Sequence, residues 1–420
     1  MNNAPIRLDE LDLPHAGPGP GPAERLDPYW HGMRPASREG AAPVSWLSRA
    51  GAARLVSAGL RRGDRPPLAL SREEAIDMLP RSRRGAPRSV RLAALGAVSM
   101  WRTVSADQLA VIVGYRPIAS ARSTDMAVLW SSGLVQRGEM HTGAPGRAPV
   151  LWRPDPGGNF ERLADRLTGA EWLALTAGVP WGSAGGTHDR HDLLATELSL
   201  RAAELTSVAV ALGERLGGVE RLTGAPSPAS ATADAVWLRS DGLRMAIELT
   251  SSVTPGLRAK AARWADALAA EAGSETAVVF AEAGHRTDAD PPPGAGPVAR
   301  ALRAAVSEAA WGSLDAAGAG VAERMMVAYF SEWFPGLGLV SPSFLTLRAY
   351  RPTGGPESTG SSFAARHAFE PVAMLDPFDL AGPAAGAAGE AVASVERARG
   401  LFGVPHWQRG GHGVRPAPVG

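Results

Sequence analysis

The sequence contains no cysteine, which excludes disulfides, thiolate metal sites and cysteine nucleophiles. It is nearly as poor in lysine: of its 43 basic residues, all but Lys260 are arginine. No apolar run approaches the roughly 18 residues of a membrane span. The opening MNNAPIRLDELDLPH lacks the apolar core of a signal peptide, so a cytoplasmic location without membrane association is expected. Neither sign of charge is in excess, the net being +1, and any nucleic-acid surface must therefore be local. The nine histidines form no HExxH. The one close pair, His188 and His191, has no third ligand in sequence and reads as surface or capping residues. The stretches GPGPGP and GGPESTGSSF lack the strand–loop–helix setting of a phosphate loop and read as linkers.

What is present is 45% hydrophobic sequence over 420 residues, enough for two or three domains at roughly 150 residues each. Residues 1–88 are expected to be mostly disordered with short helices, one within 44–63 and one over 71–79. The second of these opens on Ser71 with Glu74 three residues on, the pattern of a capping box. A basic linker with Arg81, Arg83, Arg84, Arg88 and Arg91 follows. Over 89–156 the periodicity predicts helices at 89–104, 105–114 and 116–133, then strands at 134–140 and 150–154. Three helices and a hairpin in this order make a winged helix-turn-helix. A connecting helix and linker take 157–186. From 187 to 353 the order is a long helix (187–217), a hairpin (233–240 and 243–251) and a helix from Pro255. A strand (276–283), a helix (296–311) and strands in RMMVAYFSEWF and SFLTLRAY follow. The fold class is therefore α/β and multi-domain, an α/β sandwich following a winged helix, with residues 354–420 expected as a largely disordered tail.

Two groups of residues carry chemistry in this reading. In a winged helix the third helix enters the major groove and the wing touches flanking backbone. Arg116, Ser120, Arg122 and Ser123 are the polar positions at the start of that helix, and Arg137, His141 and Arg147 lie on the wing. Arginine suits both guanine and phosphate contacts, and the linker arginines at 81–91 are placed to act as an arm. Asp125 and Glu139 dilute the positive charge.

The second group is acidic. Strand alternation over 243–250 sends Glu248 and Thr250 to one face and Ile247 and Leu249 to the other. Asp234 begins the neighbouring strand, so two carboxylates converge in an oxygen-rich site suited to Mg²⁺ if the unit is catalytic. On the following helix Leu257, Ala261, Trp264 and Leu268 form the inward stripe. Lys260 lies about 60° to one side of that stripe, where its stem can run along apolar surface. Glu197, beside Leu194 and Leu198 on the long helix, is a further acidic candidate.

Asp234 fourteen residues before "ELT", within helix–hairpin–helix–strand, resembles the PD-(D/E)xK (restriction-endonuclease-like) fold. Joined to an upstream winged helix, with "HDLL..E" on one helix and "K...W" on another, it is similar to the replication-relaxation family over roughly residues 90–285. That family comprises actinobacterial proteins of plasmids and integrative elements, associated with plasmid replication and DNA relaxation. The resemblance implies acidic roles for Asp234, Glu248 and Glu197, with Lys260 supplying the family's helix lysine because Thr250 stands where E-x-K needs one. It implies double-stranded DNA and other plasmid replication or transfer proteins as partners, with homodimerisation open. The activity it implies is Mg²⁺-dependent nicking or cleavage. The alternative is a non-catalytic transcriptional regulator or docking protein.

Overall fold

The structure is a computed structural model. It describes residues 4–11, 13, 19–30, 44–57, 70–81, 89–120, 122–140, 149–158, 160–181, 188–223, 231–270, 275–284, 292–312, 318–353 and 368–410. The chain opens with β1 (Ile6–Arg7), β2 (Val44–Leu47), α1 (Arg49–Ser57) and α2 (Arg72–Met78). Next come α3 (Val90–Trp101), β3 (Val104–Ser105), α4 (Ala106–Val113), α5 (Thr124–Ser131), β4 (Val135–Met140) and β5 (Val150–Pro154). Two short helices, α6 (Glu161–Ala164) and α7 (Gly169–Thr176), precede α8 (Asp189–Leu205), β6 (Val210–Gly213) and α9 (Val219–Thr223). Then follow β7 (Ala235–Leu238), β8 (Arg244–Thr250), α10 (Leu257–Ala269), β9 (Thr276–Glu282), α11 (Pro297–Gly312), α12 (Gly318–Ala322) and β10 (Met325–Tyr329). The last elements are α13 (Phe330–Trp333), β11 (Leu339–Val340), α14 (Pro342–Leu345), β12 (Arg348–Pro352), β13 (Phe369–Ala373) and α15 (Ala388–Arg399). The chain is thus mixed α/β. No helix among the described residues is long and apolar enough to cross a membrane.

These elements form two compact units. The first holds the described residues of His15–Leu200 and Arg399–Val414. Its helices start where side chains satisfy the free N–H groups of a first turn. Ser71 and Glu74 make the capping box of α2, and Ser105 and Gln108 make that of α4. Helix α4 stops at Gly114, whose φ of +76° is left-handed. The sheet has the order β2-β4-β5-β3. The short strand between α3 and α4 therefore pairs with the second strand of the β4–β5 hairpin, through Val104↔Trp152 and Ser105↔Leu151.

The second unit holds the described residues of Met1–Pro14 and Arg201–Ala398. Its seven-stranded sheet has the order β13-β12-β10-β9-β8-β7-β6. Strands β6, β7 and β8 form an antiparallel meander, while β8, β9 and β10 run parallel. Parallel neighbours need a crossover, which α10 provides between β8 and β9, and α11 with α12 between β9 and β10. Such central strands are covered on both faces and read as unbroken apolar runs, as in Ala277–Ala281, every residue of which is buried. The turn between β7 and β8 uses Asp241 and Gly242, the latter at φ +94°.

Several sequence expectations need correction. Residues 116–133 are not one helix: Arg116–Ala119 is a 3-10 turn and α5 begins only at Thr124. Local side chains compete with the helix there, Ser120 Oγ accepting from the Arg122 N–H and Ser123 Oγ from that of Met126. Val44–Leu47 is a strand paired with β4 rather than helix, and the long helix ends at Leu205 so that Val210–Gly213 can pair with β7. Thr206 marks that stop by donating to the Ala202 carbonyl and accepting from the Val208 N–H. The connecting helix is divided in two at Thr168, which caps α7. Phe330–Trp333 and Pro342–Leu345 are helical where strands were expected.

The tails are not wholly disordered either. Strand β1 pairs with β11, Arg25 and Tyr29 are buried, and β13 pairs with β12. Residues 399–410 build into the first unit, where the Trp101 indole N–H donates to the Gly403 carbonyl.

Candidate functional site

The hairpin and the helix after it bring three of the acidic-centre residues together in the second unit. Register pairs Ala235 with Ile247, leaving Asp234 just beyond the end of β7. Its backbone N–H donates to the Ile247 carbonyl (2.8 Å), and its Oδ2 accepts from the Leu249 N–H (2.7 Å). Asp234 is thus clamped on both sides of Glu248. Glu248 itself is fully buried. Its Oε1 accepts from the Trp264 Nε1 (2.6 Å) and its Oε2 is ion-paired with the Lys260 ammonium.

Helix α10 delivers both partners because Lys260 and Trp264 lie four residues apart, one turn along a single side. Its buried stripe is Leu257, Ala261, Trp264, Ala265 and Leu268, and Lys260 flanks it with a side chain 30% exposed. The helix starts at Leu257 after Gly256, without a side-chain cap. The helix expected from Pro255 therefore begins two residues later. The role of Trp264 as a donor to Glu248 was missed in sequence, although its spacing from Lys260 held the signal.

Electrostatics follow from burial. Loss of solvation pushes the Glu248 carboxyl up to about 8, and the neighbouring Asp234 charge adds to the push. Lys260 and the Trp264 N–H pull the other way. For Lys260, burial alone would lower the ammonium, but Glu248, Asp234 and Glu214 outweigh it and hold it above its ordinary value. Carboxylates from β8, from the start of β7 and from the 3-10 turn Glu214–Leu216 therefore all act on one amine.

Mg²⁺ does not fit these residues as they stand. Each Glu248 oxygen already has a partner from α10, one Asp234 oxygen is held by a backbone N–H, and a divalent cation entering here would meet the Lys260 ammonium. Among the described residues no group of three or more His, Cys, Asp or Glu side chains is arranged to hold a metal.

Glu197 is not part of this centre. It lies on α8 within the first unit, buried, where Arg25 grips both of its oxygens at 3.1 Å. Gln108 adds a bond from its Nε2 at 3.3 Å. The helix face of Glu197 does not reveal its partner, because Arg25 stands 172 residues away in sequence.

The candidate DNA-facing residues also separate. Arg116 and Arg122 are exposed in the turn before α5, and neither guanidinium has an ion-pair partner among the described residues. Ser120 and Ser123 are used locally, as above, rather than held out for a ligand. On β4, Arg137 sits half-buried beside Glu139 at 3.2 Å, while His141 and Arg147 lie outside the described residues. Arg83, Arg84 and Arg88 lie outside them too. Arg91 is no arm: it pairs with buried Asp125 (2.9 Å) and donates to the Met78 carbonyl (2.7 Å). That pairing also removes the Asp125 charge that diluted this face. Only Thr124 and Ala127 of α5 reach solvent to any extent, so its interior turns offer no long polar side chain. Comparison of the chain with protein-family models, with curated proteins and with solved structures finds no match.

Proposed function

We propose that the protein binds double-stranded DNA through its first unit, read as a winged helix, and that it serves replication or transfer of a plasmid or integrative element. The observation that carries the reading is the pair of exposed guanidiniums, Arg116 and Arg122, in the turn leading into α5, neither with an ion-pair partner among the described residues. Four other arginines of this unit are paired: Arg91 with Asp125, Arg153 with Asp189, and Arg162 and Arg166 with Glu73. The element order helix, strand, helix, helix, hairpin supports it, with the short strand joined to the hairpin. Because α5 offers little for base edges, binding is dominated by phosphate contacts and only weakly selective in sequence.

The test is fluorescence anisotropy on a short duplex across a salt series. Each phosphate contact contributes a slope of about 0.9 in log K against log salt. The double variant R116A/R122A is expected to weaken binding and to reduce the slope by about 2. A flat salt response in the wild type would remove DNA from the account.

A second reading is Mg²⁺-dependent nicking or cleavage with Asp234, Glu248 and Lys260 in a PD-(D/E)xK-like second unit. It is favoured by their convergence from two strands and a helix, and opposed by the closed ion pair. Supercoiled plasmid incubated with Mg²⁺ separates the two, since equal survival with wild type and D234A/E248A leaves the unit as a docking platform.

A further inference from the structure

We infer that Lys260 is the resident cation of the Asp234–Glu248 centre, its ammonium standing where a carboxylate pair of this kind would otherwise hold a divalent metal. The inference rests on the second reading only in taking Asp234 and Glu248 as a metal-type pair, and it counts against metal-dependent cleavage by the wild-type chain. Four observations support it. Glu248 is fully buried, and its Oε2 has the Lys260 ammonium as its ionic partner. Asp234 and Glu214 act on the same amine from the start of β7 and from the turn after β6. Trp264 holds the other Glu248 oxygen, so the carboxylate is fixed at both ends by α10.

The fourth observation is compositional. In a chain that otherwise uses arginine for every positive charge, this position keeps lysine. A compact, strongly hydrated point charge can replace a metal ion between carboxylates, whereas the planar guanidinium fork is wider and demands two parallel acceptors. The flank position of residue 260, partly open to solvent, lets the four-carbon stem enter from the side without displacing the apolar stripe of the helix.

The test uses the full-length chain at about pH 8, where both carboxylates are able to ionise as a cation binds. Free Mn²⁺ is counted by electron paramagnetic resonance during titration of wild type, K260M and K260M/D234N. The expected result is no Mn²⁺ held by the wild type and one ion held by K260M, with affinity at least about tenfold above that of K260M/D234N. In parallel, the unfolding temperature of K260M rises with Mn²⁺ while that of the wild type does not.

Mn²⁺ bound by the wild type and lost in D234N overturns the inference while leaving the nuclease-like reading in place. Mn²⁺ bound by neither wild type nor K260M overturns both. If K260M does not fold alone, it is refolded with and without Mn²⁺. Recovery of helical circular dichroism only with the metal supports the inference, and no recovery counts against it. Loss of DNA binding in the anisotropy experiment would sink the reading of the first unit without touching this result.

Discussion

At Glu248 the cost of burying a carboxyl group is only partly offset by its partners, Lys260 and Trp264. The folded protein holds a proton on this group up to about 8, well above the ordinary carboxyl value of 4.5. Between those two values the folded state binds more protons than the unfolded chain, so stability falls as pH rises through that window. Removing the titrating group removes its slope: in E248Q, denaturant midpoints measured from about pH 5 to pH 8 are expected to vary less than in the wild type. An unchanged slope would mean that Glu248 titrates normally. In the first unit Arg25 and Glu197 form a second buried ion pair. A buried charge is tolerated because a second one reaches it. The alternation of β8 made Glu248 legible in sequence, and the helix wheel made Lys260 legible. Nothing local to Glu197 pointed to Arg25, because the chain segment between them carries no periodic signal that fixes a distant contact.

At the scale of elements, the most readable features were those with a local cause. Ser71 and Ser105 each begin a helix with a Glu or Gln three residues later and form the reciprocal capping box; Thr168 and Glu171 do the same within what reads in sequence as one connecting helix. Gln108 then spends its amide N–H groups on the Leu193 carbonyl and on Glu197, so the cap of α4 is tied to α8 inside the same unit. Replacing Ser105 with alanine is expected to cost about 1 kcal/mol, read as a shift in the denaturant midpoint of the first unit. No shift would show that Gln108 alone anchors the turn. The elements misread were those in which competing local bonds or sheet pairing won. Residues 116–133 carry enough helical spacing for five turns, yet Pro117 and the two serines break it. Val210–Gly213 has no helix-stopping glycine before it, and it becomes a strand because β7 offers it a partner.

At the scale of the whole molecule, sequence order and spatial membership part company. Residues 399–410 belong with helices read some 300 positions earlier. Phe402 lies against Gly96, where an added Cβ would come within 2.6 Å of the Phe402 Cβ. Arg409 donates to the Ile112 carbonyl (3.0 Å) and His406 Nδ1 lies 3.1 Å from that of Val111. Both satisfy acceptors at the end of α4, where a helix leaves its carbonyls free. A chain ending at Ala398 is therefore expected to unfold at lower temperature in its first unit and to bind DNA more weakly. Retention of full thermal stability would show that these contacts contribute little.

The sequence by itself determined the alternation that buries Glu248, the wheel that puts Lys260 beside Trp264, and the serine caps of α2 and α4. Each depends on residues within a turn or a strand of one another, where backbone geometry fixes which side chains share a face. Only the tertiary structure decided that Glu197 answers to Arg25, that Arg91 is spent on Asp125, and that the C-terminal segment completes the first unit. It alone also showed that the lone ammonium closes the carboxylate pair instead of standing beside it. Those outcomes depend on burial between distant segments, where a charge must find a partner, and one-dimensional spacing does not say which segment will supply it.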